Sequence, residues 1–149
     1  MSEILFYHLQ SRPLDQSLPL LIEKSRARGW KVVLRAGSDE RLQALDDLLW
    51  TFADDSFIAH GTAADGDPAS QPVLLTTKDE RPNQAEVLFL VDHAPLPADY
   101  PYERVVVMFD GNDPEALDRA RADWKAVKAL GHAATYWQQD EAGRWIKRS

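Results

Sequence analysis

Arg121, Trp124, Lys125 and Lys128 recur at three- and four-residue intervals in a 149-residue chain whose formal net charge is −7. On a helix turning ~100° per residue they share about a third of the circumference. Ala116, Ala120, Val127 and Leu130 form the core stripe on the other side, with Leu117 and Trp124 at the border. A border indole beside cations suits a short acidic peptide that ends in an apolar or aromatic side chain. The cations attract carboxylates, the ring edge and Leu117 give an apolar rest, and an arginine clamps a terminal carboxylate bidentately. The same pattern also describes a solvated basic face near a helix C-terminus, where positive charge complements the dipole.

A second constellation is "DDLLWTFADDSFIAHG", which spreads Trp50, Phe52 and Phe57 through a carboxylate-rich helix end and loop. Aromatics in such a place either tuck under the core or meet a partner, with Trp50 and Phe57 the better interface candidates.

Enzymatic chemistry is sought next. Asp92 and Asp110 stand at predicted strand ends, where paired carboxylates hold Mg²⁺ with a phosphorylated substrate, or merely serve as turn and capping residues. His8, His60, His93 and His132 share no i, i+4 spacing, so no local zinc motif exists. Ser38 and Ser56 lack a nucleophile-elbow context. The first strand–helix junction, "HLQSRPLDQSL", contains no glycine, and close approach of backbone N–H groups to phosphate needs residues without a Cβ. No catalytic residue, metal ligand or cofactor is expected; the surviving enzymatic alternative is a small nucleotide- or phosphate-binding enzyme using Asp92 or Asp110.

These residues are positioned by an alternation of elements. Strands are predicted at Glu3–Leu9, Trp30–Ala36, Pro72–Thr77, Glu86–Asp92 and Arg104–Asp110, all apolar runs rich in β-formers. A helix follows the first strand from Leu14 or Leu18 to Arg28, stopped at Gly29. Another starts after Ser38 as N-cap, with Asp39 and Glu40 near its positive end, and reaches Trp50. Thr51–Ser70 has no period and is expected to be an irregular loop. The clearest helix has Asp113 as cap, Pro114 at its first position and Gly131 as its stop. "HAATYWQQDEAGRWIKR" reads as a terminal hairpin. The fold class is therefore three-layer α/β, with a largely parallel, mixed sheet, helices on both faces and a C-terminal β-hairpin: Rossmann-like but without a nucleotide-binding loop. One domain over residues 1–149 is expected.

Composition narrows the function classes. The chain has no cysteine, which excludes disulfides, thiolate catalysis and Cys-type zinc sites. No apolar run reaches the ~18 residues of a membrane span, and "MSEILFYHLQ" has no signal-peptide pattern, so a cytoplasmic protein without membrane partners is expected. The acidic balance argues against non-specific nucleic-acid binding. A direct binder using the basic helix with Trp137 or Trp145 as stacking platforms stands as a further alternative.

The ordered combination of "ILFYHL", "GWKVVLRA", "LDDLLWTFADDSFIAHG", "PVLL", "VVVMFDG", "RARADWKAVKALG" and "TYWQQDEAGRW" resembles the chi subunit family of DNA polymerase III holoenzyme over nearly the whole chain. The resemblance implies a non-enzymatic accessory subunit of the clamp loader, active in DNA replication. It implies that the late helix grips the acidic C-terminal tail of single-stranded-DNA-binding protein, so that DNA is engaged only indirectly. Matched position by position, the key arginine falls on Arg121, the aromatic on Trp124 and the following lysine on Lys125. A further basic position of the family is Leu117 here, leaving Lys128 to supply that charge. The family's contact with the small psi subunit falls on Trp50 and Phe57, with His60 retained, Phe52 nearby, and Ala59 replacing a proline.

Overall fold

A computed structural model describes residues 2–10, 13–51, 60–62 and 67–148. In chain order the elements are β1 (Glu3–Leu9), α1 (Leu14–Ala27), β2 (Val32–Arg35), α2 (Asp39–Thr51), β3 (Gly61–Thr62), β4 (Val73–Thr76), β5 (Val87–Leu90), β6 (Arg104–Asp110), α3 (Pro114–Ala129), β7 (Ala133–Gln139) and β8 (Trp145–Lys147), with a short 3-10 turn at Pro68–Ser70. One eight-stranded sheet runs in the order β3-β4-β2-β5-β6-β1-β7-β8. Every pairing is parallel except β7 with β8, which are antiparallel. The predicted three-layer α/β architecture and its terminal hairpin are what the chain adopts.

Two crossovers set the layers. β1–α1–β2 steps toward the β3 margin, whereas β6–α3–β7 steps toward the β8 margin. Right-handed crossovers in opposite directions leave their helices on opposite faces. Accordingly Leu18 and Ile22 of α1 pack with Leu45 and Leu49 of α2 under one face. Ala116, Ala120 and Val127 of α3 pack on the other, against Phe6, Val107 and Phe109. Strands covered on both sides are apolar throughout, hence the unbroken "VVVMF" of β6.

Local chemistry explains the element ends. Ser38 Oγ accepts from Arg41 N–H at 3.3 Å ahead of α2, and Asp113 Oδ1 accepts from Glu115 N–H at 3.1 Å to cap α3. Gly131 closes α3 with φ +84°, a conformation that side chains with a Cβ resist. Two sequence expectations need correction. The stretch predicted as an irregular loop contains β3, a two-residue strand paired with β4; too short to show any period, it exists only because β4 offers it an edge. Leu130 was expected in the core stripe of α3 but is 63% exposed. It is the capping residue, beyond the last turn that packs on the sheet.

β2 ends in an unusual residue. Arg35 is 1% exposed, in a row of buried apolar neighbours. Its Nη2 donates to Asp79 Oδ1 at 2.8 Å, and Nη1 donates to the Pro95 carbonyl at 3.4 Å. Asp79 is itself anchored by the Ala98 N–H at 2.9 Å.

Candidate functional site

α3 lies across β6, β1 and β7, so its inner residues meet alternate side chains of those strands. On β1 these are Ile4, Phe6 and His8, and on β7 Ala134 and Tyr136. Trp124 descends from the helix border onto that floor. Its ring stands edge-on to Phe6 at 5.4 Å and to Tyr136 at 6.0 Å. Leu117, one side of the same border, is half-buried against the same cluster. Trp124 is thus neither interred nor free; part of the indole remains at the surface.

The cations ring this floor. Lys128 Nζ sits 5.5 Å from the centre of the Trp124 ring, a cation–π contact one helical turn away. Arg121 is 67% exposed at its side chain and 3.7 Å from the equally open Asp118. An exposed i, i+3 pair of this length contributes a few tenths of a kcal/mol at most, so the guanidinium is available for a stronger partner. Lys125 is exposed beside it. Sequence reasoning grouped Arg121, Trp124, Lys125, Lys128 and Leu117, and the helix presents them together.

It missed what lies beneath. His8 Nδ1 and the Tyr136 hydroxyl are joined by a 2.6 Å hydrogen bond, and the His8 ring packs at 5.2 Å from Phe109. Burial pushes the His8 imidazole below its usual value; Asp110 pulls against that, and the Arg121 cation adds to it. Burial raises the Tyr136 phenol, with Arg121 opposing. The signal for Tyr136 was the alternation within "ATYWQ", which puts Tyr136 and Trp137 on opposite faces but does not say which face carries α3.

Two expected results arise here. A Cβ at Gly111 overlaps the His8 imidazole, while Gly111 N–H is tied to the Leu9 carbonyl at 2.8 Å. Gly111→Ala should therefore destabilise the chain by roughly 1–3 kcal/mol through overpacking, read as a lower urea midpoint; an unchanged midpoint means the ring moves aside freely. His8 also makes stability pH-dependent. Its folded pKa lies below the unfolded value, so the unfolded chain takes up the proton first and stability falls as pH drops below about 6.5. The urea midpoint should fall more between about pH 7.5 and 5.5 for the wild type than for His8→Gln.

A sequence model described as DNA polymerase III chi subunit, HolC, matches residues 1–135. The chain belongs to that family. It is also 31% identical over 91 residues to a protein of Rickettsia prowazekii (strain Madrid E) described as probable DNA polymerase III subunit chi, a match covering 61% of this chain and 55% of that protein. The chain thus matches only about half the length of that relative.

In this chi-family chain the second constellation is only partly described. Phe52 and Phe57, with Ala59, lie outside the described residues. Trp50, at the end of α2, is 53% exposed and its ring lies 4.6 Å from that of His60. His60 is buried, with Nε2 3.0 Å from Asp46 Oδ1 and 3.3 Å from the Asp46 carbonyl. Both partners are acceptors, so Nε2 carries the proton and the imidazole pins the α2 end to β3.

The strand-end carboxylates have occupations of their own. Asp92 Oδ2 is 3.0 Å from Arg41 Nε, and Asp110 Oδ1 accepts from Asn112 N–H at 2.9 Å. Both border a cleft of about 530 Å³ at the carboxyl ends of the strands. Among the described residues no group of three His, Cys, Asp or Glu side chains is arranged to hold a metal ion, and no helix is long and apolar enough to cross a membrane. Trp137 and Trp145 are not beside the basic helix: both pack toward α1, on the opposite face. A single surface combining them with α3 is ruled out by that alternation.

Proposed function

We propose that the chain is a non-catalytic subunit that captures the acidic C-terminal tail of single-stranded-DNA-binding protein on α3 and links it to the clamp loader of DNA polymerase III. The observation that carries this reading is an open Arg121 one helical turn from half-buried Leu117 and Trp124, the latter resting edge-on against Tyr136. A terminal carboxylate pairs with the guanidinium, whose fork matches its two oxygens. The terminal ring rests against Trp124 and Leu117, and the preceding acidic residues face Lys125 and Lys128. Leu117 enlarges the apolar floor at the cost of a cation, so Lys128, held by the indole, takes a larger share of the electrostatics.

The test is capture. Full-length single-stranded-DNA-binding protein should pull the chain down, and a version lacking its acidic tail should not. Equal capture by both sinks the reading. Affinity should also fall as salt rises, because the attraction is between charges at the surface.

The second contact, with a psi subunit or an equivalent clamp-loader partner, falls on Trp50 and His60 at the α2 end, with Phe52 and Phe57 as its further candidates from the sequence alone. Trp50→Asp should abolish that association while leaving tail binding intact, since the two surfaces occupy opposite ends of the sheet order. Loss of both in parallel contradicts two separate sites.

A further inference from the structure

Aromatic rings and cations meet a second time, on the face of the sheet away from α3. A groove of about 320 Å³ lies between α1 and the outer strands, lined by Tyr7, Trp137 and Trp145 and by Lys24, Arg28 and Arg104. The Trp137 ring lies 6.4 Å from Tyr7 in a stacked pose and Trp145 stands edge-on to Tyr7 at 4.7 Å, each half-buried so that part of each ring borders the groove. In the β7–β8 ladder Trp137 is opposite Lys147 and Gln139 is opposite Trp145. Directly opposed residues share a face, so Lys147 joins the two indoles.

The cations are gathered, not scattered. Trp30 holds the Arg28 guanidinium 4.7 Å and the Arg104 guanidinium 5.3 Å from its ring. Two like charges drawn to one indole repel each other, and an anion beside them relieves that repulsion. Glu3, 3.5 Å from Arg104, answers one of them. Lys24, Arg28 and Lys147 have no carboxylate within 4.0 Å among the described residues.

We infer that this groove binds a short segment of single-stranded nucleic acid, with bases against Trp137 and Trp145 and phosphates against Lys24, Arg28 and Arg104. Stacking on aromatic faces tolerates any base, and a cationic rim tracks the backbone. The distribution of charge favours this over an acidic peptide. The lining cations come from α1, its C-cap and β6, with Lys147 opposite Trp137 on the same face, spread out as a phosphate backbone repeats its charge, whereas a peptide terminus needs a single focus of the Arg121 kind. The net charge of −7 keeps such binding weak in isolation. A second attachment elsewhere raises the effective concentration of the strand at the groove. The inference stands independently of tail capture by α3.

The experiment titrates the full chain with an oligothymidylate and an oligouridylate of about ten nucleotides, following tryptophan fluorescence between about 50 and 200 mM salt. Saturable quenching is expected. Lys24 and Arg28 are exposed, so K24A/R28A should fold normally, and it should flatten the slope of log affinity against log salt by about 1.4. K24E/R28E should weaken binding at least tenfold, and K125E/K128E on α3, which alters the net charge equally, should weaken it far less. Similar binding of both oligonucleotides supports recognition of the shared chemistry; a preference for one supports it and names the source. Absence of saturable binding at the lowest salt overturns the inference. So does equal weakening by the α1 and α3 pairs, or tighter binding of an oligoglutamate than of either oligonucleotide.

Discussion

Arg121→Ala is expected to weaken binding of a labelled peptide ending in Asp-Asp-Ile-Pro-Phe by about 1.5–3 kcal/mol, roughly 10- to 150-fold. The size of the effect follows from what the guanidinium faces. Its partner in the free chain, Asp118, is 3.7 Å away and solvent-exposed, so little is given up when a carboxylate of the ligand replaces it. The new pair forms against Trp124 and Tyr136, where water is partly excluded and a charge-assisted hydrogen bond is stronger than at an open surface. Lys128→Ala should cost less than about 1 kcal/mol, because an exposed lysine contributes mainly long-range attraction. Fluorescence anisotropy on the wild type and the two variants checks both values. Equal affinities for wild type and Arg121→Ala, or a larger loss for Lys128→Ala, would remove the arginine clamp from the account. Among the described residues Arg121 pairs with the exposed Asp118, so the urea midpoint of Arg121→Ala should match the wild type within about 0.5 kcal/mol.

Asp79→Ala should produce the largest loss of stability, about 3 kcal/mol, lowering the melting temperature by roughly 6–12 °C. The reason is Arg35. Its guanidinium is buried at the end of β2, and Asp79 is the carboxylate that answers it, at 2.8 Å. Removing that carboxylate strands a charge in apolar surroundings, and the one remaining bond, to the Pro95 carbonyl, is long. Asp79 is half-exposed, which lets water enter and keeps the cost at the low end for a buried pair. Arg35→Met, which removes the charge and keeps the volume, should cost less than Asp79→Ala. Thermal unfolding of the two variants decides the order, and the reverse order means the ion pair stabilises the fold beyond satisfying its own burial.

The difference between Arg35 and Arg121 marks what could be read before the structure. Where information is local, sequence and structure coincide: β6 was predicted at Arg104–Asp110 and forms there, and α3 begins at its Asp113–Pro114 cap. The inner strands β2, β4 and β5 are shorter than their apolar runs, since pairing, not hydropathy, ends a strand. The side chains grouped on α3 were legible because helical spacing alone determines a shared face. What lies under them was not. Tyr136 and His8 are 128 residues apart and meet only because β7 pairs with β1. Arg35 lies inside the predicted strand Trp30–Ala36 with no sequence mark of its own, and its partner is 44 residues away. Facing in a strand is equally hidden: alternation separates Tyr136 from Trp137, but only the side on which α3 packs says which of them joins the dock.

The two ends of the sheet order are its shortest strands, β3 with two residues and β8 with three. Open main-chain donors and acceptors on a long outer strand are a template for a second copy. Among the described residues one flank offers two residues, and the other carries Lys147 with Arg148 just beyond it, whose charges repel an identical strand laid alongside. Crowded chains therefore gain almost nothing by zipping edge to edge along these strands, and homotypic aggregation is discouraged by the outline of the sheet itself.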